Sequence, residues 1–416
     1  MFVRLREEVN LPPTNYGKEN PVNQRHKERC RKEIITMAFE VRDALRAKVI
    51  ETLISTFPGA QKVVGGVAFH SDVVDEETGM TGANALKGGI LKGDILINLD
   101  SETEGELYVG CAGGLDAEAT FKYTSEAVEK GYETYAITVK GLRGGHSGME
   151  INEGRGNSNK ITTRMVLPIV RDLKGQLVSF NGGNMRNAIP REAFAEISID
   201  PKNVNKAKAI VKKVTAEVKN EYALIEPNIE IRFEKVAKAK KAIPAEVALR
   251  ALKAIYACPC NVDRMSLAMP NLVETSNNLA IVKTGNGRIN VITLMRGSTD
   301  SAKYALRDAI RCTFELAGAE IKFKGGYSGW QPNMNSAILL TMKQTYKEMF
   351  GREPEVKAIH AGLECGILST NYPHWDMISC GPTLMSPHSP DERLNIPSVS
   401  VFWNFIVEVL KNIPVK

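Results

Sequence analysis

The stretch Val74-Asp-Glu-Glu-Thr-Gly-Met-Thr-Gly-Ala83, followed by Asp94-Ile-Leu-Ile-Asn-Leu-Asp100, places carboxylates beside apolar runs. An apolar run that ends in an acid is typical of a buried strand in an α/β sheet, where ligands bind at the carboxyl edge. Neighbouring residues of a strand point to opposite faces. We therefore expect Glu77 and Asp100 to be metal ligands and Glu76 to point the other way, toward a metal-bound water. The pattern predicts a metallohydrolase.

The composition is that of a globular protein. With 416 residues, 43% hydrophobic and 25% charged, the chain exceeds one ordinary core, which predicts two domains. The net charge of +6 is spread over interleaved basic and acidic residues, so we expect no nucleic-acid partner. Residues 1–20 lack the apolar core of a signal peptide, and no apolar stretch approaches the roughly 20 residues that cross a bilayer. We therefore expect no membrane partner and a cytoplasmic location.

The seven cysteines, an odd number scattered along the chain, indicate reduced thiols in a reducing compartment. Cys258-Pro-Cys260 is the one closely spaced pair. A zinc or redox role and an ordinary loop or core role are both compatible with this spacing, and we favour the ordinary role.

The periodicity of the apolar residues predicts alternating helices and strands. From Lys27 to Phe57 apolar positions recur every three or four residues, as on one face of an amphipathic helix, and residues 90–99 are predicted to form a buried strand. Further predicted strands are 133–139 and 193–199, and further predicted helices are 160–173, 203–223 and 302–317. The last 90 residues again alternate strand and helix, and the last of these elements is 399–410. The middle of the chain therefore has the pattern of an α+β domain. We detect no internal sequence repeat.

Three of the six histidines lie in Gly-rich or Pro-rich loops. His146 follows two glycines, His360 begins the segment His360-Ala-Gly-Leu-Glu-Cys-Gly366, and His388 lies between two prolines that restrict the backbone. Isolated surface histidines do not usually share such settings. These three side chains are therefore candidates for a functional site.

Several motifs, in the same order, resemble those of the aminoacyl-histidine dipeptidases, also called Xaa-His or cytosol non-specific dipeptidases, a branch of the di-zinc exopeptidases. The resemblance runs from about Val74 to the C-terminus. Besides the two stretches quoted first, it is carried by Gly141-Leu-Arg-Gly-Gly-His-Ser-Gly148, Asn187-Ala-Ile-Pro-Arg-Glu192, Gly329-Trp-Gln-Pro332, His360-Ala-Gly-Leu-Glu-Cys-Gly366 and Pro387-His-Ser-Pro-Asp-Glu392.

The resemblance implies an α/β fold, with a zinc-exopeptidase-like catalytic domain and an inserted α+β lid domain. Residues 74–114 and 323–416 would form the catalytic domain, and residues 115–322 the lid, through which the protein would form a homodimer. Residues 1–73 would be an atypical N-terminal segment. The expected substrates are dipeptides.

The resemblance also assigns the reacting groups. Glu76 would be the general base, Glu77 and His388 would ligate one zinc ion, and Asp100 would ligate the other. One or two zinc ions are expected, with cobalt or manganese as alternatives.

Four further residues would handle the substrate. His146 of the lid resembles the histidine that donates to the tetrahedral oxyanion, in some relatives across a dimer. Arg296 resembles the lid arginine that binds the substrate carboxylate, a role suited to its planar fork of donors. Glu364 would hold the amino end of the substrate, and Asn187 would also contact it.

The chain departs from the family pattern before Glu76. The family supplies an H-x-D histidine and a metal-bridging aspartate from that region, and the match His70-Ser-Asp72 lies too close to Glu76 to be the former. Because a catalytic zinc normally has three protein ligands, we expect weak metal binding and impaired hydrolysis. Two alternatives remain open: an inactive relative that acts as a peptide-binding or dimeric scaffold, and a related tripeptidase or amide deacetylase.

Overall fold

The computed structural model describes residues 81–89, 93–385 and 393–413. The chain divides into two compact units, Met1–Ile95 and Leu96–Lys416. Of the first unit, the described residues contain helix α1 (Thr81–Ala85). The predicted helix from Lys27 to Phe57 lies outside the described residues. In the described part of the chain, no helix has both the length and the apolar character needed to cross a membrane.

A small four-stranded sheet lies in the second unit, in the order β1-β17-β2-β16. Strand β16 runs parallel to β2, whereas β17 runs antiparallel to it. The strands are β1 (Ile95–Asn98), β2 (Glu106–Cys111), β16 (Glu355–Ile359) and β17 (Asp376–Ser379). The predicted strand 90–99 is therefore observed as β1 at 95–98, while residues 90–92 are outside the described residues.

Helices cover this small sheet and bury its apolar side chains. They are α6 (Ala337–Phe350), α7 (Glu364–Asn371) and α8 (Ile396–Asn412). Leu107 and Val109 of β2 share one core with Met342 of α6 and with Phe402 and Phe405 of α8. Side chains at alternate positions of β2 thus enter the core, as expected for a strand with one covered face.

A nine-stranded sheet forms the larger part of the second unit, in the order β10-β5-β9-β7-β13-β14-β3-β15, with β12 also paired to β13. Its strands are β3 (Gly113–Lys122), β5 (Glu133–Lys140), β7 (Gln176–Gly182), β9 (Ala193–Ile199), β10 (Glu230–Lys235), β12 (Asn261–Met265), β13 (Val273–Gly285), β14 (Arg288–Gly297) and β15 (Glu320–Tyr327). The helices that pack on it are α2 (Ser158–Asp172), α3 (Val204–Glu221), α4 (Ala245–Ala257) and α5 (Asp300–Leu316).

One apolar core joins these helices to the sheet. In β3, Leu115, Ala117, Ala119 and Phe121 are buried in it, and the intervening residues are not. The period of two shows that the helices cover one face of the sheet. The predicted elements at 133–139, 160–173, 193–199, 203–223, 302–317 and 399–410 all match observed elements to within a few residues.

The nine-stranded sheet contains the same topology twice. The elements β5-α2-β7-β9-α3-β10 form a first repeat, and β3-α4-β13-β14-α5-β15 form a second; both have the element order βαββαβ, to which the second repeat adds β12 between α4 and β13. Within each repeat the strands lie in the spatial order fourth, first, third, second. The repeats join antiparallel, edge to edge, where Val282 of β13 pairs with Gly182 of β7. The sequence shows no repeat because this topology depends on the order of the elements and not on identical residues.

Short two-stranded pairs lie outside the two larger sheets. They are β4 (Glu126–Ala127) with β11 (Lys241–Ala242), β6 (Gly145–His146) with β8 (Ala188–Ile189), and β18 (Leu384–Met385) with β19 (Arg393–Leu394). A 3-10 turn spans Pro201–Asn203.

The two sheets are connected where the chain passes from β2 to β3 and leaves β15. Cys111 and Trp330 exchange two backbone hydrogen bonds of 2.9 Å there. Lys303 of α5 is 1% exposed and donates to Asp300 Oδ1 and to the Tyr327 carbonyl, both at 2.7 Å. This buried cation therefore fixes the end of β15 against α5.

We predict that Lys303→Met lowers the free energy of unfolding by about 1–3 kcal/mol, because it removes the buried donor that joins Asp300 to the Tyr327 carbonyl. The control is Lys122→Met, since the Lys122 and Glu320 side chains are 57% and 60% exposed and such pairs contribute at most about 1 kcal/mol. Urea denaturation measures both variants. An equal fall in the free energy of unfolding in the two variants would contradict a structural role for Lys303.

Candidate functional site

The predicted metal ligands are only partly within the described residues. Asp100 lies two residues after β1, is exposed, and its backbone N–H donates to Asn98 Oδ1 at 2.8 Å. Glu76, Glu77 and His388 lie outside the described residues. Across residues 81–89, 93–385 and 393–413, no group of three or more His, Cys, Asp or Glu side chains could hold a metal ion. The metal site therefore stays a prediction.

Glu364 is the first residue of α7 and is partly buried. The Asn98 amide donates to Cys365 Sγ at 3.5 Å, which brings the start of α7 next to the end of β1. A carboxylate in the first turn of a helix is favoured by the helix dipole. Its predicted contact with the substrate amino group stays a prediction.

His146 lies in β6, which pairs antiparallel with β8. It pairs with Ala188, and the next N–H, that of Ser147, donates to the Asn187 carbonyl at 2.8 Å. His146 and Asn187, which are distant in the sequence, are thereby brought side by side. Both belong to the loops of the first repeat.

The hydrogen bonds of His146 fix its tautomer. The backbone N–H groups of Gly148 and Met149 point at Nδ1 from 3.3 and 3.1 Å. Because Nδ1 faces two donors, it must act as the acceptor, so the proton of the neutral ring lies on Nε2. His146 therefore presents an N–H donor at Nε2.

Arg296 of β14 lies against that donor. It is 4% exposed, its Nη1 donates to Tyr327 Oη at 3.4 Å, and its Nη2 is 3.4 Å from His146 Nε2. Its buried Nε has no hydrogen-bond partner among the residues that the structure describes. Two groups that can only donate thus converge from the two repeats, and an acceptor such as a carboxylate or an oxyanion satisfies both.

The electrostatics keep His146 neutral. Burial, and secondly the charge of Arg296, lower the pKa of His146 to about 4. Protonation would place two cations together and turn Nδ1 into a donor facing two donors. At neutral pH the site therefore carries the single positive charge of Arg296 beside a neutral N–H donor.

A third histidine, His360, lies behind this donor pair. It is 6% exposed, and its Nε2 is 2.7 Å from Ser276 Oγ. Burial, followed by the charges of Arg296 and His146, lowers the pKa of His360 to about 3. The sequence named His360 as a candidate but gave it no role, and its signal was the Gly-rich motif that it begins.

An open cavity of about 360 Å³ lies on the face of the nine-stranded sheet that carries Arg296. Asp116, two residues from the cross-strand partner of Arg296, lines it and pairs with Arg186 at 3.3 Å. Burial raises the pKa of Asp116, while the charges of Arg186 and Arg296 oppose that shift. The cavity is lined by Asp116, Glu118, Asn184, Arg186, Ile281, Ile292 and Lys324.

The cysteine pair is packed away from this site. Cys258 and Cys260 are free thiols, and burial raises the pKa of Cys258 to about 12. Lys160 donates to the Cys258 carbonyl at 2.6 Å and to the carbonyls of Ile255 and Tyr256, and thereby caps the end of α4. These contacts favour the ordinary structural role.

Comparisons with known proteins agree with the resemblance seen in the sequence. Residues 137–226, which fall within the first repeat, match the peptidase dimerisation domain family. The chain is 43% identical over 341 residues to a cytosol non-specific dipeptidase of Escherichia coli K12, covering 82% of this chain and 70% of the relative. The crystal structure of the aminoacylhistidine dipeptidase from Vibrio alginolyticus superposes with a TM-score of 0.80 at 43% identity, covering 83% of this chain and 70% of that one. These matches confirm the predicted fold class, an α/β fold with an inserted dimerisation-type domain.

We predict that His360 makes the protein less stable in acid. The unfolded histidine takes up its proton near pH 6.5 and the native one near pH 3, so stability is complete above pH 6.5 and falls as the pH drops through this range. Between pH 7.5 and 5.0 the loss from this group is about 2 kcal/mol. Urea denaturation of the wild type and of His360→Gln at both pH values measures this loss. His146 contributes equally to both proteins, so the difference between them reports on His360. If the free energy of unfolding depended on pH in the same way in both proteins, the prediction would be wrong.

Proposed function

Because the chain belongs to the aminoacylhistidine dipeptidase family of the M20 peptidases, also called cytosol non-specific dipeptidases, we propose that it binds and hydrolyses dipeptides at the convergent donors of His146 and Arg296. The observation that carries the proposal is the 3.4 Å approach of His146 Nε2 and Arg296 Nη2, two donors that face each other. A dipeptide offers the matching acceptors, a terminal carboxylate and a peptide carbonyl.

Arg296 binds the substrate carboxylate in this proposal. Its guanidinium is buried and always charged, so a carboxylate that reaches Nη2 gains a charge-assisted hydrogen bond. A peptide that continues beyond the second residue would place an uncharged amide at this position. Arg296 therefore selects peptides whose second residue is the C-terminal one.

His146 acts on the scissile carbonyl. Its neutral Nε2–H donates to the carbonyl oxygen and stabilises the negative charge that develops on that oxygen. The pKa of about 4 keeps the ring in this donor form throughout the neutral pH range. Asn187, which lies next to His146 through the Ser147 bond, supplies an amide for a further contact with the substrate.

The metal and the base complete the site. Glu77, Asp100 and His388 would hold zinc, with cobalt or manganese as alternatives, and their carboxylate and imidazole donors match the ligands that zinc prefers. When bound, the metal supplies a Lewis acid that lowers the pKa of water and polarises a carbonyl. Glu76 takes the proton from the attacking water and passes it toward the leaving amine. Glu364, at the start of α7, would receive the amino end of the dipeptide.

A peptide-binding protein without hydrolysis is the second candidate. His146, Arg296 and Asn187 are assembled entirely within residues 96–416, so binding of a dipeptide carboxylate needs nothing from the segment that lacks the usual metal motifs. This candidate accounts for the departure of the sequence from the family pattern before Glu76. It predicts dipeptide binding with no turnover.

The proposal includes a homodimer in the cytoplasm, supported by the match to a dimerisation domain and by the name of the E. coli relative. The inner edges of the two repeats are already paired at β7 and β13. The outer edge strands, β10 and β15, carry Arg232, Lys235, Lys322 and Lys324, and charged edges discourage pairing with another strand. The partner would therefore contact the helices and not a sheet edge.

We predict that β-Ala-His and simple dipeptides are hydrolysed only with added zinc, and that Glu76→Ala lowers kcat by at least about 100-fold, because the attacking water loses its base. The control is Glu348→Ala, which removes an exposed glutamate of α6. A ninhydrin assay of the released amino acids measures turnover. Tight binding of β-Ala-His without turnover at any zinc concentration would reject hydrolysis in favour of the second candidate.

A further inference from the structure

His360 is the conspicuous buried polar group that the proposed chemistry does not use. It follows β16 of the small sheet, yet its side chain enters the nine-stranded sheet. At 6% exposure and with Nε2 bonded to Ser276 Oγ, it does not present a nitrogen to a substrate. The residues that His360 contacts therefore indicate which part of the site it holds in place.

The hydrogen bond to Ser276 connects His360 to the strand beside Arg296. Ser276 of β13 is the direct cross-strand partner of Arg296 in β14. A 2.7 Å bond from the small sheet thus fixes the backbone segment on which the guanidinium depends. Besides burial, the charges of Arg296 and His146 lower the pKa of His360, and a hydrogen bond with the Val273 backbone opposes that shift.

The backbone around His360 contacts the other supports of the donor pair. A Cβ on Gly148 would lie 2.1 Å from the His360 carbonyl oxygen and 3.1 Å from Arg296 Nε, so only glycine fits between them. A Cβ on Gly362 would lie 3.0 Å from the ring of Tyr327, whose hydroxyl accepts from Arg296. One tripeptide, 360–362, therefore packs against the His146 loop, the Arg296 strand and the Tyr327 ring.

We propose that His360 is a positioning residue, which through its bond to Ser276 holds Arg296 in the position where it binds the substrate carboxylate beside His146. The inference rests on the proposed function, since it concerns the same donor pair. His360 links the small sheet, which carries Asp100, to the substrate-binding groups of the larger sheet. It acts through Arg296 and does not touch the substrate.

This role predicts a particular kinetic signature. An arginine that binds the terminal carboxylate does so equally in the ground state and the transition state, so its misplacement raises KM and leaves kcat nearly unchanged. The carbonyl contact at Gly148 is made by the backbone and survives substitution of the side chain. Loss of the imidazole should therefore act on Arg296 more than on His146.

The test compares His360→Leu, His360→Gln and Ser276→Ala with Ser198→Ala. Gln places an amide near the position of Nε2 and can still bond to Ser276, whereas Leu cannot. Ser198→Ala is the matched control, because it breaks a buried 2.9 Å hydroxyl pair with Thr134 in the first repeat. The KM and kcat for β-Ala-His are measured with zinc, and its Kd is measured by calorimetry.

We expect KM and Kd to rise about tenfold in His360→Leu and in Ser276→Ala, with kcat within about twofold of wild type. His360→Gln should restore most of the affinity, and Ser198→Ala should leave it unchanged. A fall in kcat at constant KM, or an equal loss of affinity in Ser198→Ala, would overturn the role.

A spectroscopic measurement separates this inference from the proposed function. In protein labelled with ¹⁵N-histidine, we expect His146 to titrate at a higher pH in His360→Leu than in wild type or Ser198→Ala, because Arg296 has moved away. If the wild type neither binds nor hydrolyses β-Ala-His, the proposed function fails and this titration alone decides the positioning role. An identical His146 titration in wild type and His360→Leu would overturn it.

Discussion

The proposed substrate site depends on one electrostatic constraint, the close approach of two hydrogen-bond donors that face each other. Arg296 cannot accept a hydrogen bond, and His146 cannot accept at Nε2 because Nδ1 already faces the N–H groups of Gly148 and Met149. Such an arrangement is costly when buried unless an anion completes it. The same arrangement makes the site selective for a carboxylate or an oxyanion.

The duplicated topology explains how one chain builds this pair. His146 comes from the first repeat and Arg296 from the second, and the pairing of β7 with β13 fixes the two repeats side by side. The assembly of these donors therefore needs no second subunit, although residues 137–226 of the first repeat match the peptidase dimerisation domain family. The Lys303 contacts at the end of β15 and the His360 bond to Ser276 connect this sheet to the small sheet that carries Asp100.

The sequence predicted a large part of this account. Apolar periodicity located the helices α2, α3 and α5, and motif resemblance named His146, Arg296 and Asn187, which the structure brings together. Periodicity reports only local burial, so it could not reveal that two stretches with unrelated residues share one strand order. The His360 bond to Ser276 spans 84 residues and arises only when two sheets pack, so no local pattern encodes it. The roles of Glu76, Glu77 and His388 stay predictions, because these residues lie outside the described part of the structure.

The most direct test of the account is calorimetric titration of β-Ala-His and of its C-terminal amide into the wild-type protein and into Arg296→Gln. A charge-assisted bond to a buried arginine is worth about 1.5–3 kcal/mol, so the free carboxylate should bind the wild type at least about tenfold more tightly than the amide. The difference should vanish in Arg296→Gln. Equal affinity of the wild type for the two ligands would contradict the claim that Arg296 binds the substrate carboxylate.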